Sequence, residues 1–237
     1  MSNRPAILCE RSTWIVLDKP VGWHTVESGR TDGAPSVERW LREQRPDVAA
    51  LEECGLVHRL DRDTSGCLMV ARSAVEQGRW RDAFAGRSNE VAVRKIYLAL
   101  IEPSAETEGQ WTLAFASRHR GSAKATVSRR RDAGQLGSCR WRCRRTARPD
   151  ALARAPHAFD LVEIELLGPG RRHQIRAGFA FLGRPLAGDA LYGGTPLEEP
   201  GAVAERVHST GTAFCLHALR LEIGDTSVES PPPAWAR

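Results

Sequence analysis

Residues 58–66, HRLDRDTSG, form the stretch richest in side chains that could do chemistry, and they run directly into the apolar residues 67–71. Two carboxylates, Asp61 and Asp63, lie two positions apart among arginines. A carboxylate beside a cation can act as a covalent nucleophile or as a general acid or base. Two carboxylates can also hydrolyse a sugar bond, although their adjacency in one short loop argues against it. An aspartate before a strand most often only shapes a turn.

Further candidate residues stand in segments on both sides of this loop. Tyr97 lies within an apolar run, and Arg176 lies in the first turn of a segment with helical spacing. The segments are DKPVGW at 18–23, RKIYLA at 94–99, KAT at 124–126, GRRHQIR at 170–176, GRP at 183–185, GDALYG at 188–193 and LHA at 216–218.

These motifs, in this order, resemble those of the RluA family of pseudouridine synthases. The family signatures are HRLDxxTSG, DKPxG, K-x-Y-x-A and GRTHQIR followed by GxPxxGDxxYG, and the resemblance spans residues 7–235. It implies that a uridine in structured RNA, rRNA or tRNA, is isomerised to pseudouridine. That reaction breaks the N1–C1′ bond and rejoins the ribose through C5. It has no redox step and exchanges no group, so we expect no cofactor and no metal.

The resemblance also implies roles for three residues. Asp61 would be the catalytic carboxylate, Arg176 would pair with it, and the ring of Tyr97 would pack on the target base. The alternatives are a turn aspartate, a surface arginine and an ordinary core tyrosine. The sequence leaves open whether Asp61 attacks the sugar, attacks the base or assists elimination.

Arg59 matches an arginine that, in family members, enters the RNA helix in place of an extruded base. Extrusion is required because an enzyme cannot reach the reacting atoms inside a base stack. A phosphate contact or a structural salt bridge is the alternative. We expect the two histidines of the motifs to orient loops rather than bind metal. Besides Arg59, the predicted substrate-binding residues are His58, Thr64, Lys124, His173 and Gln174.

The chain departs from the family pattern at two places. Arg172 stands where the family has threonine, and Ala177-Gly178-Phe179 replaces the usual continuation of that helix. Both departures bear on substrate preference more than on catalysis. Because only residues 1–6 precede the first predicted strand, we expect a stand-alone catalytic domain without the S4 RNA-binding domain of many relatives.

Composition is compatible with an RNA partner. The chain has 237 residues, 34 Lys+Arg against 29 Asp+Glu, a formal net charge of +5 and a pI near 9.1. Lysine occurs only at Lys19, Lys95 and Lys124; every other basic residue of this set is arginine. Arginine binds phosphate bidentately and stacks on bases, but biased coding would also enrich it. The arginine-dense residues 118–154 are therefore either an RNA contact surface or a solvated face.

Several classes of protein are excluded or disfavoured. With 41% hydrophobic and 27% charged residues, the chain is neither disordered nor fibrous. No apolar run is long enough for a membrane helix and no signal peptide opens the chain, so we expect a cytoplasmic protein with reduced cysteines. A catalytically idle RNA-binding or RNA-folding protein on the same scaffold stays the main alternative function.

Periodicity and capping signals predict an α+β protein. The resemblance adds a central, mostly antiparallel mixed sheet flanked by short helices and loops. We expect one domain over residues 1–237, working as a monomer. Residues 118–154 are predicted to be exposed ribbons and loops. The predicted strands are 7–10, 14–19, 67–71, 91–101, 162–166 and 213–223; the predicted helices run from Ser36 to before Pro46, from Ser73 to Phe84, and over 174–182 with Gly183 after the end.

Overall fold

The computed structural model describes residues 4–27, 33–88, 91–117, 119, 122–147, 157–197 and 214–237. Its contacts divide the chain into two compact units. The first unit comprises Met1–Lys95 and Ala218–Pro231, and the second comprises Ile96–His217 and Pro232–Arg237.

Antiparallel strands and two helices build the first unit. Its elements are β1 (Ala6–Glu10), β2 (Trp14–Lys19), α1 (Val37–Gln44), β3 (Ser65–Ala71), α2 (Ala74–Phe84), β9 (Leu216–Ile223, which begins in the second unit) and β10 (Thr226–Glu229). β1 pairs with β2, β2 pairs with β3, and β10 pairs with β9. The core between sheet and helix contains Trp14, Met69 and Trp80.

Both helices of the first unit begin where the capping signals place them. The Ser36 hydroxyl accepts the N–H of Arg39 at 3.1 Å, and the Ser73 hydroxyl accepts the N–H of Glu76 at 3.2 Å. These bonds satisfy amide groups that have no partner inside the helix. The sequence therefore identified the starts of α1 and α2 correctly.

The second unit is a sheet with one α-helix among the described residues. Its elements are β4 (Val93–Ile101, which begins in the first unit), β5 (Glu108–Ala116), β6 (Thr126–Ser128), β7 (Gln135–Ala147), β8 (Phe159–Leu167) and α3 (Gln174–Phe181). The strands follow the order β4-β8-β7-β5-β6, and β7 pairs antiparallel with both β5 and β8. The close approach of α3 to the sheet requires a glycine, because a Cβ at Gly178 would lie 2.6 Å from the ring of Trp111.

The prediction of exposed ribbons and loops over residues 118–154 was wrong for β7. This strand lies between two others, with Cys139 and Trp141 buried. Its arginines point to the opposite side, where Glu163 of β8 contacts both Arg142 and Arg144. These cross-strand ion pairs offset part of the positive charge of a run that reads as loop in the sequence alone. Arg118, Arg120 and residues 148–154 lie outside the described residues.

The α+β class is confirmed, with ten strands and three α-helices in the described part of the chain. The predicted elements are observed with small shifts of their ends, and β5, β6, β7 and β10 are additional. None of the described helices combines the length and the apolar character needed to cross a membrane. The single domain and the monomer stay predictions.

Candidate active site

The loop that carries Asp61 ends in a tight turn. The N–H of Thr64 donates to the carbonyl of Asp61 at 3.1 Å. Asp63, in the turn, is buried, and Nε of Arg62 donates to its Oδ1 at 3.1 Å. Asp61 is half-buried. The two carboxylates of the loop therefore have different surroundings, and the structure gives Asp63 a structural ion pair.

Lys19 holds this loop from the end of β2. Its side chain is fully buried, and Nζ donates to the carbonyls of Pro20 at 2.9 Å, Trp23 at 2.7 Å and Arg62 at 2.9 Å. An ammonium group carries three N–H donors, one for each carbonyl. Because the Arg62 carbonyl belongs to the turn, Lys19 fixes the main chain next to Asp61.

The charge of Lys19 is coupled to the carboxylates of the loop. Burial lowers the pKa of Lys19 to about 7, while the negative charges of Asp63, Asp61 and then Asp18 act to raise it. Burial disfavours the ammonium form, and nearby carboxylates favour it. The three carbonyl acceptors likewise favour the ammonium form.

Two residues of the segment after Lys19 bind the same loop. The Thr25 hydroxyl accepts the N–H of Leu60 at 3.1 Å and donates to the Leu60 carbonyl at 2.8 Å. The N–H of Gly22 donates to the Arg62 carbonyl at 2.9 Å. Gly22 has φ +82°, a conformation that favours glycine. The main chain on both sides of Asp61 is thus held by residues 19–25.

His58, at the start of the loop, is neutral in the fold. Its Nε2 accepts the N–H of Met69 at 3.0 Å, and its ring stacks on Phe84 with 4.2 Å between centroids. Burial, and then the positive charge of Lys95, lower the pKa of His58 to about 3. A nitrogen that accepts a hydrogen bond cannot carry a proton, so geometry and electrostatics agree. These contacts orient the loop, and a role in substrate binding stays a prediction.

Arg59 and Thr64 differ in exposure. Arg59 is exposed, as an arginine that enters RNA has to be. Thr64 is buried, and its hydroxyl has no hydrogen-bond partner among the described residues. Substrate binding by either residue stays a prediction.

In the second unit, Arg176 is held by a buried ion pair. Its Nε donates to Oδ2 of Asp189 at 2.7 Å, and its Nη2 donates to Oδ1 at 2.9 Å. The arginine is 6% exposed and the aspartate 1% exposed, so water screens this pair little. A bidentate pair fixes both the position and the plane of the guanidinium.

Aromatic rings hold the same guanidinium from its faces. Its carbon atom lies 3.9 Å from the ring centre of Phe214 and 5.3 Å from that of Tyr192. The Tyr192 hydroxyl accepts the N–H of Ala125 at 2.8 Å and hydrogen-bonds Nδ1 of His173 at 2.9 Å. Burial raises the pKa of the Tyr192 hydroxyl, which therefore stays protonated at neutral pH. Tyr192 connects three segments around Arg176.

The remaining predicted residues of the second unit have distinct settings. Gln174 is buried and joins α3 to β7, since its Nε2 donates to the Ser138 carbonyl at 3.0 Å. Tyr97 is 8% exposed on β4. Lys124 is exposed, with Nζ 6.0 Å from the ring centre of Tyr192. Among the described residues, no three His, Cys, Asp or Glu side chains are grouped so that they could hold a metal ion.

Comparison with known proteins identifies the family. The family model described as RNA pseudouridylate synthase matches residues 13–181. The chain belongs to this family. Two curated relatives are named ribosomal large subunit pseudouridine synthase D. The Xylella fastidiosa protein is 30% identical over 217 residues, 92% of this chain and 60% of the relative. The Xanthomonas campestris protein is 31% identical over 216 residues, 91% of this chain and 60% of the relative.

The chain spans about 60% of the length of these two relatives.

Solved structures of pseudouridylate synthases confirm the fold. Human RNA pseudouridylate synthase domain containing 4 has a TM-score of 0.67 at 18% identity, covering 98% of this chain and 90% of that one. The human domain containing 1 protein has a TM-score of 0.64 at 21% identity, covering 98% and 84%.

Within the two units of this pseudouridylate synthase family member, seven of the nine predicted residues form two groups. His58, Arg59, Asp61 and Thr64 share one loop of the first unit. The second unit brings His173, Lys124 and Arg176 together around Tyr192. Shared use of the two groups in one reaction stays a prediction.

Four residues of these groups were absent from the predicted site: Lys19, Asp189, Tyr192 and Phe214. Asp189 and Tyr192 stand in the GDALYG motif that supported the family resemblance. Lys19 stands in the DKPVGW motif, and it is also one of the few lysines in a chain whose usual cation is arginine. No signal in the sequence pointed to Phe214.

Proposed function

We propose that this protein is an RNA pseudouridine synthase that isomerises one specific uridine of a structured RNA, with Asp61 as the catalytic carboxylate. The observation that carries the proposal is the HRLDRDTSG loop, whose main chain is fixed on both sides of Asp61 by Lys19, Gly22 and Thr25. Family membership supports the same reaction. The names of the relatives favour rRNA of the large ribosomal subunit over tRNA.

The reaction needs a fixed carboxylate but no cofactor. The N1–C1′ bond breaks, a C5–C1′ bond forms, the proton on C5 leaves and N1 gains a proton. A carboxylate can attack the sugar or the base, or can move the proton. The uridine must leave its base stack for this chemistry, and exposed Arg59 lies two residues from Asp61. Arg59 therefore fills the vacated place in the RNA.

Arg176 and Tyr97 complete the proposed site. The guanidinium of Arg176, aligned by Asp189, is the cation that stabilises negative charge during the reaction. Tyr97 presents a ring to the target base. Lys124 binds RNA, while His58, His173, Gln174 and Thr64 hold the loops that contact it. The protein works as a cytoplasmic monomer, and its six cysteines are free thiols.

Tritium release tests this function. RNA labelled with tritium at uridine C5, isolated from cells that lack the gene, loses that tritium to water when pseudouridine forms. We expect release by the wild-type protein and none by Asp61→Asn, which retains RNA binding. Release by Asp61→Asn at a rate near that of the wild type would contradict the assignment. RNA binding without release by the wild type would favour an idle RNA-binding protein, and free uracil would favour a hydrolase.

A further inference from the structure

Arg171 and Arg172 line a cavity of about 430 Å³ beside the start of α3. Phe115, Ser117 and Gln135 form part of its wall, and none of its lining residues is acidic. Arg172 is the residue that replaces the family threonine. The cavity thus contains a positive charge that the family motif does not specify.

Neither arginine has a carboxylate partner among the described residues. Arg171 donates from Nε to the Leu136 carbonyl at 2.7 Å and from Nη1 to Oε1 of Gln135 at 3.1 Å. Arg172 donates from Nη2 to the Ala123 carbonyl at 2.6 Å. All these acceptors are neutral. In the described structure, Nη2 of Arg171 and Nε and Nη1 of Arg172 remain for a ligand.

Several other arginines of the second unit do have a carboxylate partner. Arg142 and Arg144 contact Glu163, Arg184 contacts Asp160, and Arg176 contacts Asp189. Two guanidinium groups beside one open cavity, with no anion from the protein, favour an anion from outside. The planar guanidinium matches the oxygens of phosphate well.

A third cation borders the cavity. Three hydrogen bonds hold the segment that carries Lys124: Arg172 to the Ala123 carbonyl, Ser122 to the Lys124 carbonyl at 2.9 Å, and the Ala125 N–H to Tyr192. Ala125 lines the cavity, and the exposed Lys124 next to it forms no ion pair with described residues. Arg172 therefore both lines the cavity and positions the segment that carries Lys124.

We propose that this cavity binds a phosphodiester group of the bound RNA strand, and that Arg172 supplies a phosphate contact specific to this chain. The inference rests on the proposed function, because it takes RNA as the substrate. A free nucleotide would offer the same phosphate chemistry. The RNA strand is favoured because the exposed Lys124 provides for a second phosphate of the same strand.

The salt dependence of RNA binding tests the proposal. A fluorescein-labelled 30-nucleotide RNA hairpin is titrated with the wild type, Arg172→Thr and Arg172→Lys at several KCl concentrations. Each lost phosphate contact lowers the slope of log K against log[salt] by about 0.7–0.9. We expect this decrease, and weaker binding, for Arg172→Thr, which restores the family residue. Arg172→Lys keeps the charge and therefore most of the slope.

Arg87→Thr is the matched control, because Arg87 is an exposed arginine paired with Asp82 at 2.6 Å. It should leave the slope unchanged. An unchanged slope for Arg172→Thr, an equal decrease for Arg87→Thr, or no RNA binding by the wild type would overturn the proposal. Displacement of the hairpin by equimolar UMP would assign the cavity to a free nucleotide instead.

Pseudouridine formation by the wild type is measured in parallel, so that the two proposals can fail separately. A wild-type protein that forms no pseudouridine but shows the Arg172-dependent slope would refute the function and keep the phosphate site. An active wild type with an unchanged slope in Arg172→Thr would refute only the phosphate site.

Discussion

The loop that carries Asp61 and the helix start that carries Arg176 are fixed by different means. In the loop, Lys19 and Thr25 bind the main chain of Leu60 and Arg62. At the helix start, the guanidinium itself is fixed, by Asp189 at its edge and by aromatic rings at its faces.

The difference matches the proposed tasks of the two residues. A carboxylate that forms a bond or moves a proton has to change partners, so its position is best set through the backbone. A cation that stabilises charge acts without changing partners, so its head group can be fixed. Substitutions that remove one kind of support but not the other test this distinction.

Lys19→Met should have the largest effect. It removes the donor to the carbonyls of Pro20 and Trp23, while the Arg62 carbonyl keeps the N–H of Gly22. It also removes the charge that faces Asp61 and Asp63. Since each unsatisfied buried group costs about 1–3 kcal/mol, we expect the free energy of unfolding in urea to fall by about 4 kcal/mol. Lys124→Met, at an exposed lysine, should change it by less than about 0.5 kcal/mol. A loss below about 1 kcal/mol for Lys19→Met would show that the main-chain support is weak.

Asp189→Asn should follow, because it keeps the shape of the side chain but removes the charge that faces buried Arg176. Breaking a buried ion pair costs about 3–5 kcal/mol, and we expect about 3 kcal/mol in urea denaturation. Asp132→Asn is the control, since its pair with Arg130 is exposed and should contribute little to stability. Equal effects of the two substitutions would contradict the role of burial.

Thr25→Val tests the loop support on a smaller scale. It leaves the N–H and the carbonyl of Leu60 unpaired in a buried setting, at a cost of about 2 kcal/mol. Thr25→Ser keeps the hydroxyl and should lose less than about 1 kcal/mol. Thermal denaturation of both variants measures the difference, and equal melting temperatures would refute the hydrogen-bond argument.

The neutral state of His58 predicts a pH effect. Its pKa is lowered in the fold to about 3, so between the ordinary value of about 6.5 and 3 only the unfolded chain binds the proton. Stability from this group is therefore complete above pH 7 and falls as the pH falls through 6.5 toward 3. We expect a loss of about 2 kcal/mol between pH 7 and 5. Urea titrations of His58→Phe should lack this part of the pH dependence; the same dependence as wild type would contradict the prediction.

Local signals in the sequence predicted most of the fold. α1 and α2 combine serine caps with helical spacing, and α3 ends before Gly183, so their ends depend on neighbouring residues. β7 was misassigned because part of its arginine charge is offset across the sheet by Glu163, about twenty residues further along the chain.

Motif positions supplied part of the site, but they did not show which other motif residues the tertiary contacts would make important. Asp61, Tyr97 and Arg176 were chosen from motif positions. Lys19 was missed because its importance depends on carbonyls brought to it by folding, including that of Arg62, 43 positions away. In a chain this rich in arginine, a retained lysine is itself a signal, because three carbonyls around one nitrogen suit an ammonium better than a planar guanidinium.

Pseudouridine mapping of total cellular RNA shows whether the protein modifies RNA and whether Asp61 is required. RNA is compared between cells with the gene, cells without it, and deleted cells complemented by the wild type or by Asp61→Asn. We expect a pseudouridine that disappears with the gene and returns only with the wild type. Its return with Asp61→Asn, or an unchanged pseudouridine map after deletion, would contradict the proposed function.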